Sequence, residues 1–275
     1  MPPFEFGQPS GALAPWIERY VGYRLVDQPA GLHRGLPSRH PTFIVSIGPL
    51  IDVVRQTNAG QSPRRFRSVI SGLQATYALI AHDGHQEGVA FEMTPLGFRA
   101  LFGIPAGELW DLSLELEELT GSFADELWER LQPPASWTER FAICDEVLGR
   151  ALVETETRRE LGNAWKLLVA SGGTATVDWV AGQVGWTRQV LTRRFRAEFG
   201  LSPKLAGRVI RFERARDLLG GGDGPSIAEV AATCGYFDQS HMNRDFVELA
   251  GLPPGQLRVE EEVPSFQDET VVKAA

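Results

Sequence analysis

The sequence predicts an α+β N-terminal region followed by an all-α C-terminal region in which one helical unit occurs twice. Three observations support this prediction: short β-like segments before residue 94, helical periodicity from Pro95 onward, and an internal repeat after Thr174. We place the boundary near residues 154–157, which gives an N-terminal domain over 1–155 and a C-terminal domain over 156–258. Residues 259–275 form an acidic tail that we predict to be disordered.

The N-terminal region begins with segments typical of strands. Six runs of apolar and β-branched residues are separated by clusters of Pro, Gly, Asn and Asp, which favour turns. They predict a small antiparallel barrel or sandwich over residues 20–93, preceded by a short helix at 13–20. The predicted strands are 21–26, 42–47, 51–55, 69–73, 76–81 and 89–93.

From Pro95 to Leu152 the apolar residues recur at spacings of three and four, as in amphipathic helices. This predicts that the strands are followed by helices within the same domain. The predicted helices are 96–102, 112–119, 122–131 and 137–152, and a further helix at 158–170 leads into the repeat.

The repeat begins at Val180 and again at Val230, fifty residues later. Each copy predicts a short helix, a glycine that ends it, and a second helix with an apolar inner face. The offset becomes fifty-one between Arg193 and Arg244, so one residue is inserted in the second turn. A connector helix that starts at Pro203 joins the copies.

A helix, a glycine turn and a second helix form the helix-turn-helix, whose second helix presents exposed side chains to base edges of DNA. The two second helices are predicted at 187–199 and 239–249, with Thr187 and Asp238 as caps. Their outer faces are rich in hydrogen-bond donors: Arg188, Gln189, Thr192, Arg193 and Arg196 in the first copy, and Gln239, Ser240, His241, Asn243 and Arg244 in the second.

The residues of both copies resemble the DNA-binding domain of AraC/XylS transcription regulators. The resemblance rests on Gly185, Leu191, Arg193, Phe195, Gly200, Ser202, Pro203, Arg211 and Ala215, and then on Ile227, Ala231, Gly235, Tyr236, Asp238, Ser240, Arg244, Phe246, Gly251, Pro254 and Arg258. It implies that both recognition helices enter adjacent major-groove segments. It also implies that DNA is read by Gln189, Thr192 and Arg193 in the first copy and by Gln239, Ser240, His241, Asn243 and Arg244 in the second. Arg188 and Arg196 are predicted to contact DNA as well. It also implies an N-terminal effector-sensing or dimerising domain, loosely cupin-like.

The same resemblance implies the partners of the protein. Double-stranded promoter or operator DNA and RNA polymerase are expected, while a small-molecule effector and a homodimer are left open. The chain departs from the family at Ala206, where a large aromatic residue is usual. It departs again at Asp245, Val247 and Glu248, where basic residues are usual. This second departure implies weaker phosphate contact by the second copy.

The formal charge of −8 is unevenly distributed. From Thr174 to Arg258, eleven Lys and Arg stand against nine Asp and Glu, and seven of the eleven lie between Arg188 and Arg211. The local electrostatic field at the binding surface matters more for nucleic-acid binding than the total charge of the protein. We therefore expect the first copy to supply most of the DNA affinity.

We expect no catalytic site, metal or cofactor. His82 and His85, with Asp83 and Glu87, have side chains that a cupin-type metal could use, but a polar hairpin turn explains them more simply. His33 and His40 are isolated, no third ligand is visible in the sequence, and no phosphate-binding loop or paired-cysteine motif occurs. Cys144 and Cys234 lie on apolar helix stripes, which disfavours a disulfide.

The sequence contains no uncharged apolar run of 18 residues and no basic segment before an apolar one at the N-terminus, so we expect a cytoplasmic protein without membrane contact. Two alternatives stay open. One is a DNA-repair or modification enzyme targeted by the same unit, which needs a reactive cysteine such as Cys144. The other is a partner-binding protein with a weakened DNA domain, which the acidic residues around Phe246 would allow. The effector, the operator and the choice between activator and repressor are not determined.

Overall fold

The computed structural model describes residues 3–120, 122–133, 135–155, 157–220 and 224–260. Its N-terminal strands form two antiparallel sheets, with strand orders β1-β2-β9-β4-β7-β10 and β3-β8-β5-β6. The strands are β1 Phe4–Gly7, β2 Ile17–Leu25, β3 Gly31–Gly35, β4 Phe43–Ser46, β5 Ile51–Arg55, β6 Arg64–Phe66, β7 Ser68–Ser71, β8 Ala78–His82, β9 Gln86–Met93 and β10 Ser113–Glu115.

Both faces of the larger sheet are covered. In β4 and β9, Val45 and Phe91 point toward the helices that follow the sheet, whereas Ile44 and Ala90 point toward the smaller sheet. Successive side chains of a strand alternate between faces. These central strands are therefore apolar at nearly every position, and the region is a β-sandwich with helices on one outer face.

Four helices follow the strands: α1 Pro95–Phe102, α2 Leu116–Thr120, α3 Ser122–Leu131 and α4 Trp137–Ala151. Thr94 caps α1 by accepting a hydrogen bond from the Gly97 amide, and a single 3₁₀ turn at Ala106–Leu109 comes next. Leu127, Leu131 and Leu148 are fully buried against the sheet. The 3₁₀ turn and α1 are among the parts of this region that contact the C-terminal region.

The helix predicted at 13–20 is wrong. Only Gly11–Leu13 forms a 3₁₀ turn, and Ile17–Leu25 is a strand paired with β9. A bulge between Ile17 and Arg19 places Ile17 and Tyr20 on the same face, which imitates the three-residue spacing of a helix. Pairing with a distant strand outweighs this local signal.

Two further predictions need correction. The predicted hairpin turn at His82–Gly84 joins strands of different sheets, because β8 pairs with β3 and β5 while β9 pairs with β2 and β4. The helix predicted at 112–119 begins as strand β10 beside β7 and becomes helical at Leu116. Strands β1, β3 and β6 were not predicted. All three are edge strands: β3 and β6 lie at the two edges of the smaller sheet, and β1 lies at one edge of the larger.

The C-terminal region is entirely helical in the described residues, and the predicted fold class is confirmed. Its helices are α5 Arg159–Ala170, α6 Val177–Gln183, α7 Arg188–Phe199, α8 Pro203–Leu219, α9 Ile227–Thr233, α10 Gln239–Ala250 and α11 Pro254–Glu260. The connector α8 has 17 residues, about 25 Å at 1.5 Å per residue. The predicted disordered tail lies outside the described residues from 261 onward. No helix in the described residues combines the length and apolar character needed to span a membrane.

Candidate nucleic-acid interface

The two copies of the repeat form the same turn. Gly185 and Gly235 have φ angles of 72° and 74°, a conformation that only glycine adopts at little cost. In each copy the amide that follows the glycine donates a 2.9 Å hydrogen bond to the carbonyl four residues before the glycine. The repeat in sequence is therefore also a repeat in backbone geometry.

The predicted caps begin the second helix of each copy. The Thr187 hydroxyl accepts a hydrogen bond from the Val190 amide, and the Asp238 carboxylate accepts one from the His241 amide. Since Asp238 takes the place of Thr187, the inserted residue of the second copy is Phe237. Helices α7 and α10 correspond residue by residue after these caps.

One face of each recognition helix is completely buried. Phe195 and Phe199 of α7 pack against Trp165 of α5, with ring centroids 5.9 and 5.1 Å away. In α10, Phe246 packs edge to face against Phe212 of the connector, with centroids 4.7 Å apart. Truncating such a buried ring costs about 3–5 kcal/mol, so these contacts hold the rotation of each helix firmly. The opposite face is left to solvent.

The structure places the predicted DNA-contacting residues on these outer faces. His241 is partly buried because Tyr236 packs against its ring at 5.3 Å. Asn243 is also partly buried, and its side-chain oxygen has no hydrogen-bond partner among the described residues. Thr192 is partly buried, and the exposed members are Arg188, Gln189, Arg193, Arg196, Gln239, Ser240 and Arg244.

The N-terminal ends of α7 and α10 border one cleft of about 790 Å³, so both recognition helices begin on the same side of the molecule. Arg188, His241 and Arg244 of the predicted set line this cleft. The remaining seven predicted residues do not: Gln189, Thr192, Arg193, Arg196, Gln239, Ser240 and Asn243.

Two exposed cleft residues, Lys204 and Phe237, are suited to DNA contact but were not predicted. Lys204 is exposed in the first turn of α8, where the helix dipole adds to its positive charge. A basic residue directly after Pro203 could have indicated this from the sequence. Phe237, the residue inserted in the second turn, was given no role from the sequence.

The acidic residues of the second copy have structural roles. Asp245 is buried and accepts hydrogen bonds from Arg208 of α8, the shorter at 2.7 Å, while Arg211 lies 3.6 Å away. Glu248 also pairs with Arg208. Asp245 therefore joins the recognition helix to the connector, and the acidic pair neutralises the charge of Arg208, which lines the cleft.

Contacts from the N-terminal region reach the C-terminal ends of both recognition helices. Arg99 of α1 donates two 2.7 Å hydrogen bonds to Glu198 of α7, which raises the pKa of Arg99 further. Trp110 covers Gly200, so closely that a Cβ there would lie 2.6 Å from the Trp110 Cβ. Tyr77 covers Gly251 in the same way at the end of α10. We call Arg99, Trp110 and Tyr77, with the surfaces they touch, the interregion contact.

The 3₁₀ turn adds to this contact. A Cβ on Gly107 would lie 2.8 Å from the Ala197 carbonyl oxygen, so the turn approaches the backbone of α7 directly. The guanidinium of Arg55 lies over the Tyr77 ring at 4.3 Å and helps to hold that ring in place. The N-terminal region thus contacts the two helices that would bind DNA without covering their N-terminal halves.

A second cleft, of about 370 Å³, opens between the two sheets. His33, Asp52, Arg65, His82 and Glu87 are among the residues that line it. Burial, with a smaller contribution from His82, lowers the pKa of His33 to about 4. His33 is therefore neutral at pH 7 and can both donate and accept hydrogen bonds there.

His82 and His85 both line this second cleft, but they do not belong to a three-ligand cluster in the described part of the chain. The cluster with metal-like spacing there is Glu18, His40 and Glu92. Arg19 is bound to Glu92, and the hydrogen bond from His40 is the main cause that lowers the pKa of Glu18 to about 2. These carboxylates are thus already paired within the protein.

The two cysteines are buried in separate cores. Burial raises the pKa of the Cys144 thiol far above its ordinary value, and burial also raises the pKa of Cys234. Because the thiolate is the reactive form, neither position suits cysteine-dependent chemistry. This weighs against the alternative of a DNA-repair enzyme.

Comparison with known families gives two matches. Residues 180–260 match a family described as "Helix-turn-helix domain", and residues 5–115 match one described as "Domain of unknown function (DUF6597)". Comparison with curated proteins found no match.

Several solved structures are similar. ToxT from Vibrio cholerae is 13% identical, covering 94% of this chain and 98% of that chain, with a TM-score of 0.50. ToxT with a bound unsaturated fatty acid is 11% identical, covering 88% and 95%, with a TM-score of 0.50. A transcriptional regulator with an AraC-type DNA-binding domain from Chromobacterium violaceum is 26% identical over 38% of this chain and 95% of that chain, with a TM-score of 0.36.

The chain therefore combines a β-rich N-terminal region with a helix-turn-helix domain of the AraC type at residues 180–260, in the overall fold of ToxT. The family match and the fold support a DNA-binding transcription regulator. The N-terminal match falls on a family without an assigned function.

Proposed function

We propose that the protein binds specific promoter sequences through both helix-turn-helix units and that its N-terminal region, in response to a small molecule, controls this binding. The observation that carries the proposal is the common cleft at the N-terminal ends of α7 and α10. Two recognition helices that begin on one side of a molecule can enter successive major-groove segments of one duplex.

In this proposal the outer faces contact DNA. Arginine pairs with guanine and glutamine with adenine through two hydrogen bonds each, which suits Arg193, Arg244, Gln189 and Gln239. The other contacts are proposed for Arg188, Thr192, Arg196, Ser240, His241 and Asn243, while Lys204 binds phosphate as a point charge.

The first copy supplies most of the affinity in this proposal. Four cations are exposed in or just after α7, namely Arg188, Arg193, Arg196 and Lys204. Helix α10 has exposed Arg244, while its Asp245 binds arginines of the connector. Exposed cations release counterions from phosphates on binding, and this gives sequence-independent affinity. The second copy then contributes mainly to specificity.

Arg193 provides the direct test. Arg193→Ala should weaken binding to a selected site by about 1–3 kcal/mol if the side chain reads a base, and Arg193→Lys should restore little of that loss. Fluorescence anisotropy on the selected and a scrambled duplex measures both. A phosphate contact would instead weaken both duplexes equally and be rescued by lysine.

The control variant is Arg150→Ala, which removes the same charge from an exposed side chain on α4. It should leave DNA affinity unchanged. Wild-type protein that binds every duplex without salt dependence, or binds none, would overturn the proposed function and favour the partner-binding alternative.

We place the small molecule in the cleft between the two sheets. Its lining combines apolar Ile44 and Ile80 with neutral His33 and with Asp52 and Arg65, so a polar organic molecule fits its chemistry. ToxT, which has the same fold, has been solved with an unsaturated fatty acid bound, which supports a search among organic acids first.

Thermal-shift screening of the full chain against small organic acids and other polar metabolites tests this sensing role. A ligand should raise the melting temperature and change DNA affinity in the same concentration range. Binding without any change in DNA affinity would contradict control by the N-terminal region. The expected RNA polymerase contact, and the homodimer that the sequence left open, belong to the same proposal.

A further inference from the structure

Phe237 is 92% exposed, whereas the other exposed large hydrophobic side chains of the described chain range from 37% to 56%. It is also the residue inserted in the second copy, since Trp186 is followed directly by the helix cap in the first. Isolated exposed hydrophobic residues are common on surfaces, so exposure alone proves nothing. The position of Phe237, directly before the cap of recognition helix α10, is the observation that indicates a function.

The backbone of Phe237 is held in place on both sides. Its amide donates a 3.4 Å hydrogen bond to Nδ1 of His241, Asp238 caps α10 directly after it, and Tyr236 before it is buried. A residue in a mobile loop would lose conformational freedom on binding, but Phe237 is already positioned. The ring is exposed to solvent just before the N-terminus of α10.

Charged residues line the same cleft as this ring, five Lys and Arg against three Asp and Glu. Arg188, Lys204 and Arg244 are exposed in the same cleft, and Phe237 is the one exposed large hydrophobic side chain among the described residues that line it. A surface for a protein partner would group apolar residues together. A single aromatic ring in a cleft with more cations than anions, at the start of a recognition helix, instead matches a DNA major groove.

We infer that Phe237 contacts the 5-methyl group of a thymine and makes the second copy selective for a T·A pair at that position. This inference rests on the proposed function. The thymine methyl is the apolar group that the major groove displays, and phenylalanine is one of the side chains that contact it. Because Phe237 precedes the cap of α10, this base pair lies at the edge of the segment that α10 reads. The first copy has no counterpart, so its half of the site lacks this selectivity.

The test uses the full chain and a duplex obtained by selection from random DNA. Each thymine in the site is replaced in turn by deoxyuridine, which removes the methyl group and keeps base pairing. With wild-type protein, one replacement should lower affinity about three- to fivefold, the amount expected for burying one methyl group. Fluorescence anisotropy at fixed salt measures it.

Phe237→Ala should lower affinity for the thymine duplex by at least the same factor and should no longer distinguish deoxyuridine at that position. Phe237→Leu should keep part of the discrimination. Val247→Ala is the matched control, because it truncates an exposed apolar side chain on the same helix and should still distinguish the two duplexes. Unchanged melting temperatures are expected for all three variants.

Two outcomes would overturn the inference. Equal losses for Phe237→Ala on thymine and deoxyuridine duplexes at every position would show that no methyl group is contacted, and unchanged affinity would show that Phe237 does not touch DNA. In either case loss of binding by Arg193→Ala would still support the proposed function. Failure of the wild-type protein to bind any duplex would overturn both.

Discussion

His33 shows how a single residue acquires properties that its neighbours in sequence do not reveal. It pairs with Ile80 across β3 and β8, and so it faces the space between the two sheets. Its ring lies 5.6 Å from that of His82. The sequence indicated only an isolated histidine, because nothing near it in the chain predicts burial.

The low pKa of His33 predicts a pH dependence of stability. The pKa of His33 is about 6.5 in the unfolded chain and about 4 in the folded chain. The free energy of unfolding is therefore at its full value above pH 6.5 and decreases as the pH falls toward 4, because the unfolded chain binds the proton more readily. Between pH 7 and pH 5 the protonation of His33 in the unfolded chain should lower the free energy of unfolding by about 2 kcal/mol. Urea unfolding of wild type and His33→Gln measures the difference.

His85→Gln is the control, because His85 is exposed in the turn after β8. It should show the same pH dependence as the wild type, whereas His33→Gln should lack the contribution of about 2 kcal/mol. Parallel curves of unfolding free energy against pH for wild type and His33→Gln would contradict the partly buried, neutral state of His33.

At the scale of secondary structure, the join between α8 and α10 depends on a charge that appeared to be a departure from the family pattern. Asp245 is 4% exposed and contacts Arg208 and Arg211 of the connector. The connector thus holds α10 through a buried carboxylate as well as through the packing of Phe212 on Phe246. The sequence showed an acidic residue but not its partners.

Asp245→Asn should therefore destabilise the protein by about 1.5–3 kcal/mol, because two arginines lose a charged acceptor in a buried location. Glu248→Gln removes a negative charge from the next turn of the same helix, but its side chain is 62% exposed and it should cost less than about 0.5 kcal/mol. Chemical denaturation compares the two. Equal effects would show that Asp245 is not a structural contact.

At the scale of the whole molecule, the N-terminal region contacts the C-terminal ends of α7 and α10 and leaves their N-terminal halves free. The contacts are made by Arg99, Trp110 and Tyr77, the residues of the interregion contact. One sandwich that touches both recognition helices can influence their mutual orientation. This is the physical route by which a ligand between the sheets would alter DNA binding.

Arg99→Ala tests that route. Losing the two hydrogen bonds to Glu198 should weaken the local structure by about 1.5–3 kcal/mol, so that amides in the last turn of α7 exchange about ten- to a hundredfold faster. Hydrogen-exchange mass spectrometry measures this, and DNA affinity should change with it.

Arg19→Ala is the matched control, because Arg19 forms a similarly buried two-bond pair with Glu92 inside the sandwich. It should also lower stability but leave exchange in α7 unaltered. Equal exchange in α7 for both variants would mean that Arg99 does not connect the regions.

Local interactions made much of this protein predictable. Glycines such as Gly185 and Gly235, caps such as Thr187 and Asp238, and the apolar spacing of α7 and α10 act within a few residues, so the sequence by itself determined the two helix-turn-helix units and the donor-rich outer faces. Runs of apolar and β-branched residues between turn-forming clusters likewise predicted most central strands.

Only the tertiary structure decided how these parts meet. The strand at Ile17–Leu25, the burial of His33, the common cleft and the Arg99–Glu198 contact join residues far apart in the chain, in the last case by 99 positions. Such contacts form because distant apolar faces and charges become neighbours when the cores close, and no short stretch of sequence contains both partners.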